Sequence, residues 1–200
     1  MTLIRVAHSP DSDDAFMFFA LAKGLIDTGS YRFEHVLSDI ETLNREAFAG
    51  TYEVTAVSIH AFAHLDDRYA LLSSGASMGD GYGPVLVSRK PVSIEDLAGL
   101  EVAIPGTLTS AALALALWNP GLRTRVLPFD RIMPAVAAGE VDAGVVIHEG
   151  QLTFADEGFH PVVDLGVWWG DVTGGLPLPL GGNVVRRDLG DDVIRDVSAL

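Results

Sequence analysis

The sequence predicts an α/β protein of two lobes, joined by two crossover strands, with a ligand cleft between them. Three observations predict this. Short apolar runs alternate with helical patterns in the order βαβαβα up to about residue 65, and a Gly-rich interruption follows. The same alternation then restarts and continues to about residue 165. Alternation of this kind implies parallel sheets with helices on both faces. A chain of 200 residues is long enough to give each lobe its own core.

The first strand is Leu3-Ile-Arg-Val-Ala-His8, broken by Ser9-Pro10-Asp11-Ser12. Ser12 is the expected cap of a helix from Ala15 to about Lys23, with Asp13 and Asp14 in its first turn and Gly24 ending it. Tyr31 to Leu37 is the second strand. Asp39 caps the next helix, which runs through Ala49 and stops at Gly50. Val54 to Ser58 is a third strand leading into an apolar helix from Ile59 to Leu65.

Two extended runs, Tyr69–Ser73 and Pro84–Ser88, flank a loop with glycines at 75, 79, 81 and 83. After it come a strand at 102–104, a helix from Thr107 or Leu108 to Trp118, and a strand at 124–127. A helix at 132–138, a strand at 144–147 and another at 161–165 follow. Pro84–Ser88 and Asn183–Arg186 bracket this second set and read as the two crossing strands. The expected division is therefore residues 1–87 with 183–200 as a discontinuous first lobe, and 88–182 as an inserted second lobe. Two tandem domains are the alternative. Apolar residues at 193, 194, 197 and 200 have helical spacing with no stop signal, so the first lobe is expected to continue beyond Leu200.

Composition excludes several functions. Acidic residues outnumber basic ones 27 to 13, for a formal net charge of −14, a field that repels nucleic-acid backbones. A small anion is still admissible, because a few helix-start N–H groups can hold one locally. Without cysteine there is no disulfide, thiolate metal site or cysteine nucleophile. The N-terminus shows no secretory signal and no apolar run approaches the ~20 residues of a membrane span. A cytoplasmic location is expected. No GxGxxG, phosphate-loop or GxSxG pattern is present, so nucleotide cofactors and serine-hydrolase chemistry are not expected.

Ligands in open parallel sheets gather at the carboxyl ends of strands. Four junctions fit: Ser9–Asp14, Ser58-Ile-His60, Pro105–Ser110 and Ile147–Gly150. Gly106 followed by Thr107, Leu108, Thr109 and Ser110 is a cradle for a carboxylate, although the same residues also make an ordinary helix cap. His148, directly after an apolar strand, is a candidate general base, and His8 is a weaker one. His60 and His64 have the i, i+4 spacing of a metal pair but lack a third donor, so no metal is expected. Asp11, Asp13 and Asp14 suit capping, with one of the three left over for chemistry.

At these junctions the sequence resembles the menaquinone-biosynthesis enzymes of the futalosine pathway, and within that group the 1,4-dihydroxy-6-naphthoate synthase type. The resembling pieces are Ser9–Leu21, Val57–Ala61, Pro105–Ala111 and Val141–Glu149. The family's first motif usually reads Ser-Pro-Cys-Pro-Asn-Asp-Thr-Phe. Here Asp11, Ser12, Asp13 and Ala15 replace four of its residues, while the shared Asp falls on Asp14 and the catalytic His on His148. The resemblance implies the type 2 periplasmic-binding-protein fold and a lyase acting on cyclic dehypoxanthine futalosine without a cofactor. It implies His148 and Asp14 as catalytic residues, with Ser58, Thr107, Leu108, Thr109 and Ser110 binding the substrate. A small carboxylate substrate is the expected partner, and a homodimer is left open. The alternatives are a non-enzymatic solute-binding protein on the same fold and a chorismate dehydratase, which lacks the His148-Glu149 junction.

Overall fold

The first strand, β1 (Thr2–His8), is built on alternation: Ile4 and Val6 face one layer of the core and Ala7 the other. The computed structural model, which describes residues 1–200, continues with α1 (Ser12–Met17), α2 (Phe19–Ala22) and β2 (Tyr31–Leu37). β2 pairs parallel to β1 along its whole length. The long helix predicted from Ala15 to Lys23 is thus two short pieces. Phe18 breaks it (φ −92°, ψ 3°), and its ring stacks on His8 at 4.3 Å between centroids. The cap is Asp11 rather than Ser12, its carboxylate accepting from the Asp14 N–H.

α3 (Ile40–Ala49) begins at Asp39 and ends at Gly50, whose φ of +70° makes a left-handed stop. β3 (Val54–Ser58) is buried at every position and lies parallel to β1 on the side opposite β2. α4 (Ile59–Phe62), β4 (Tyr69–Leu71) and β5 (Ser77–Gly79) follow.

β6 (Val85–Ser88) and β7 (Glu101–Ile104) open a second sheet, followed by α5 (Ser110–Trp118), β8 (Arg123–Val126), α6 (Phe129–Ala138) and β9 (Ala143–Val146). Then come α7 (Gly150–Thr153), β10 (His160–Asp164), α8 (Leu165–Thr173), β11 (Leu178–Arg186) and α9 (Asp191–Ser198). The α8 helix has no counterpart among the sequence expectations. Its Trp168-Trp169 and three glycines within Gly166–Gly174 mask the helical pattern.

The chain divides into two units, residues 1–77 with 181–200, and residues 78–180. The first unit's sheet runs β2-β1-β3-β11-β4, with β5 also pairing β11. The second runs β10-β6-β9-β7-β8. β8 and β9 lie parallel to β7, whereas β6 and β10 are antiparallel additions. In the second unit Leu86 and Val102 pack toward α5 and α8, while Val85, Val87 and Ala103 pack toward α6, the two-sided burial that a central strand needs.

One expectation is corrected here. Val85–Ser88 is not a crossing strand beside Asn183–Arg186. It lies between β10 and β9 in the second unit's sheet, whereas Asn183–Val185 pairs with β3. The chain passes between units within β5 and within β11, at Ser77/Met78 and Leu180/Gly181. The run Pro84-Val-Leu-Val looked like a connector because it follows a Gly-rich loop, but its burial at all four strand positions makes it an interior strand. No helix is long and apolar enough to cross a membrane.

Candidate functional site

Because β1 and β3 are parallel neighbours, Asp14 and Ser58 come to the same edge of the first sheet, the carboxyl end of its strands. Asp14 is buried, and its Oδ2 accepts the Ser9 N–H at 2.6 Å. His8 sits beside it, Nδ1 3.9 Å from the same oxygen. Nδ1 of His8 donates to the Ser9 carbonyl at 3.0 Å, leaving Nε2 to accept from Nδ1–H of His35 at 3.0 Å. His35 Nε2 is then a buried nitrogen with no partner. Burial, with the neighbouring His8 second, holds the His35 pKa below its ordinary value. Ser58 is also buried: its Oγ accepts from Asn44 Nδ2 at 3.0 Å and its N–H donates to Asn44 Oδ1 at 2.8 Å. Asn44 therefore fixes the turn after β3. Neither it nor His35 was singled out from sequence, since each reads as an ordinary member of its element.

In the second unit, β7 and β9 are parallel neighbours, so the segment Thr107–Ser110 and His148 share one sheet edge. The start of α5 is a tight cap. Thr109 Oγ1 accepts the Ala112 N–H at 3.1 Å and donates to the Gly106 carbonyl at 2.9 Å. Ser110 Oγ donates to the Leu180 carbonyl at 2.6 Å. Both hydroxyl protons are thereby given to main-chain carbonyls. Thr107 is exposed and Leu108 half-buried. What the segment offers an anion is the exposed Thr107 hydroxyl beside the positive end of α5.

His148 is the one non-glycine residue with positive φ, +53°. The left-handed conformation costs roughly 1–2 kcal/mol for an ordinary L-residue, and such outliers concentrate where a side chain must be aimed. The imidazole is half-buried, with the Phe129 ring edge-on at 5.3 Å and 70°. One turn on, Gln151 bonds the His148 backbone. His60 and His64 have ring centroids 5.7 Å apart, and nowhere in the chain are three His, Asp or Glu side chains gathered to hold an ion.

Residues 4–200 match the family model described as menaquinone biosynthesis. The chain belongs to the menaquinone biosynthesis family. A 1,4-dihydroxy-6-naphthoate synthase of Thermus thermophilus is 45% identical over 195 residues, covering 98% of this chain and 70% of the relative. Among solved structures, a protein of Archaeoglobus fulgidus is 53% identical with a TM-score of 0.92, over 98% of this chain and 72% of that one. The alkanesulfonate-binding protein of Xanthomonas axonopodis pv. citri, solved with MOPS bound, aligns at a TM-score of 0.67 over 94% of this chain and 67% of its own. At 15% identity that likeness speaks for the fold alone. Like its neighbours of this kind, this member of the family has the type 2 periplasmic-binding-protein fold.

Proposed function

We propose that this chain is a lyase of the 1,4-dihydroxy-6-naphthoate synthase type, acting in the cytoplasm on cyclic dehypoxanthine futalosine, with His148 as general base. The observation that carries this reading is His148 itself: a histidine in a left-handed backbone conformation at the carboxyl end of β9. It stands on the same sheet edge as the start of α5. The 45% identity to a named synthase supports the same activity.

In the proposed reaction the substrate carboxylate is held by the first-turn N–H groups of α5 and by Thr107. Neutral His148 takes a proton from a hydroxyl of the sugar. The oxygen left behind forms a carbonyl as the bond to the spiro carbon breaks, and the released electron pair enters the ring system. The His148 imidazolium returns its proton to the ring oxygen that took up the pair, and the ring aromatises as the sugar is released, which supplies the driving force. Asp14, held by the Ser9 N–H, polarises a substrate hydroxyl, while Ser58 lines the same sheet edge. The chemistry needs no redox change and no organic cofactor.

Purified protein incubated with cyclic dehypoxanthine futalosine should release 1,4-dihydroxy-6-naphthoate, read by mass spectrometry, and should leave chorismate untouched. His148→Asn keeps size and one hydrogen-bonding edge but cannot take the proton. Its turnover should fall at least about a hundredfold, with substrate affinity near that of the wild type. Normal turnover by that variant removes His148 as the base. Tight binding without turnover by the wild type would mark a solute-binding protein instead.

A further inference from the structure

We propose that Gln151 is the positioning residue that fixes His148 in its left-handed conformation, anchored through Gly83 to the start of α8. This rests on the reading of His148 as the base.

The geometry is a grip on both ends of one residue. With its amide oriented to suit its neighbours, Gln151 Oε1 accepts the His148 backbone N–H at 3.1 Å, and Nε2 donates to the Gly83 carbonyl at 2.8 Å. The Gln151 backbone N–H also donates to the His148 carbonyl at 3.1 Å. A left-handed residue does not hold itself in place, because its local energy favours the right-handed well. Here its N–H and C=O are both tied to a residue three positions on.

The anchor at Gly83 is firm for a separate reason. A Cβ on Gly83 would fall 2.6 Å from the backbone nitrogen of Gly166, and one on Gly166 would fall 1.9 Å from the Tyr82 carbonyl oxygen. Loop and helix start are therefore in backbone contact that only glycine allows. Next to it the Leu165 N–H donates to the Pro84 carbonyl at 2.9 Å. Force on the His148 backbone thus passes through Gln151 to the buried Leu165 at the start of α8. The imidazole follows its backbone, with the Phe129 ring against it.

The residue type matters. A primary amide carries one acceptor and two donors, so it serves the His148 N–H and the Gly83 C=O together. Glutamate keeps the acceptor and loses the donor. Methionine has the same length and loses both.

The test pairs Gln151→Met and Gln151→Glu with His148→Asn, measuring kcat, KM, melting temperature and hydrogen exchange of the His148 amide. Gln151→Met should lower kcat about tenfold or more, equivalent to ~1.4 kcal/mol, with KM within about twofold of wild type. Exchange at the His148 amide should speed up by a similar factor. Gln151→Glu should fall between Gln151→Met and wild type on both readouts, and it stands in if the methionine variant does not fold. A change in melting temperature or KM with kcat and exchange untouched overturns the proposal, as does wild-type kcat in both Gln151 variants while His148→Asn is dead. If His148→Asn is itself fully active, the base reading fails, and exchange at the His148 amide alone decides whether the grip exists.

Discussion

Replacing Thr109 by Val separates a capping role from a ligand-binding one. The hydroxyl accepts the Ala112 N–H and donates to the Gly106 carbonyl, and Thr109 is 3% exposed, so water cannot take its place. Losing the cap costs about 1 kcal/mol. Leaving the buried Gly106 carbonyl without that donor costs about 1–2 kcal/mol more, because its other bond, from the Thr109 N–H, is long at 3.4 Å. Valine is nearly isosteric, so no cavity adds to the sum. The expected loss is about 2–3 kcal/mol, or roughly 5–10 °C in melting temperature for a chain of this size. Thr109→Ser keeps both hydrogen bonds and should recover all but about 1 kcal/mol, the share of one buried methyl. Urea unfolding with substrate titration on the same samples gives both readouts. KM should move by less than about threefold, since the hydroxyl proton is already given to Gly106. Unchanged stability with a KM raised about tenfold would refute the capping account and return Thr109 to the ligand.

Two further predictions concern the first unit. His35 has a folded pKa below its unfolded value, so the unfolded chain takes up the proton first as the solution is acidified. Stability is full above about pH 6.5 and declines as pH falls toward the lower folded value; His35→Gln should flatten this decline between pH 7 and 5.5 in thermal melts, and parallel curves would count against it. Glu53 accepts from Arg5 Nε, Nη2 and backbone N–H at 2.9, 2.7 and 3.0 Å. Burial pushes its carboxyl up, but the Arg5 hydrogen bonds outweigh that and hold it below its ordinary value. Glu53→Gln should cost about 2 kcal/mol at pH 7, and the cost should shrink as pH falls below about 4.5 toward the lower folded value; a cost that does not change with pH would show a packing effect.

Much of the fold was legible because its signals are local. Asp39 and Gly50 bracket α3 as a cap and a left-handed stop, and Val54–Ser58 reads as the apolar run that a strand buried on both faces requires. What was not legible depends on tertiary partners. Phe18 leaves the helix to stack on His8, 10 residues before it, and nothing in the run Ala15–Lys23 announces that contact. The place of Val85–Ser88 is decided by β9 and β10, both more than 50 residues later in the sequence. The same holds at the site. The βα junctions marked Asp14, Ser58 and His148, and the sheet pairings bring them to strand carboxyl ends. The left-handed turn at His148 was not readable, because histidine carries no glycine-like signature, and its holder Gln151 looks like any polar residue on a short helix.

The charge distribution gives the α5 start its particular character. Four of the five helices of eight or more residues begin with acid. α3 has Asp39 and Glu41, α6 has Asp130, α8 is capped by Asp164, and α9 carries Asp191 and Asp192. Each carboxylate offsets the partial positive charge of its helix start. α5 has a neutral cap and no acid in its first turn. In a chain of net charge −14, α5 is the one helix of this length that starts with neither an acidic cap nor an acid in its first turn. The remaining charge is less of an obstacle than its size suggests, since exposed acids more than ~8 Å away are largely screened at physiological ionic strength. Local donors therefore outweigh the global field for a small carboxylate. They do not do so for a polyanion, whose many phosphates would meet the acidic surface at once.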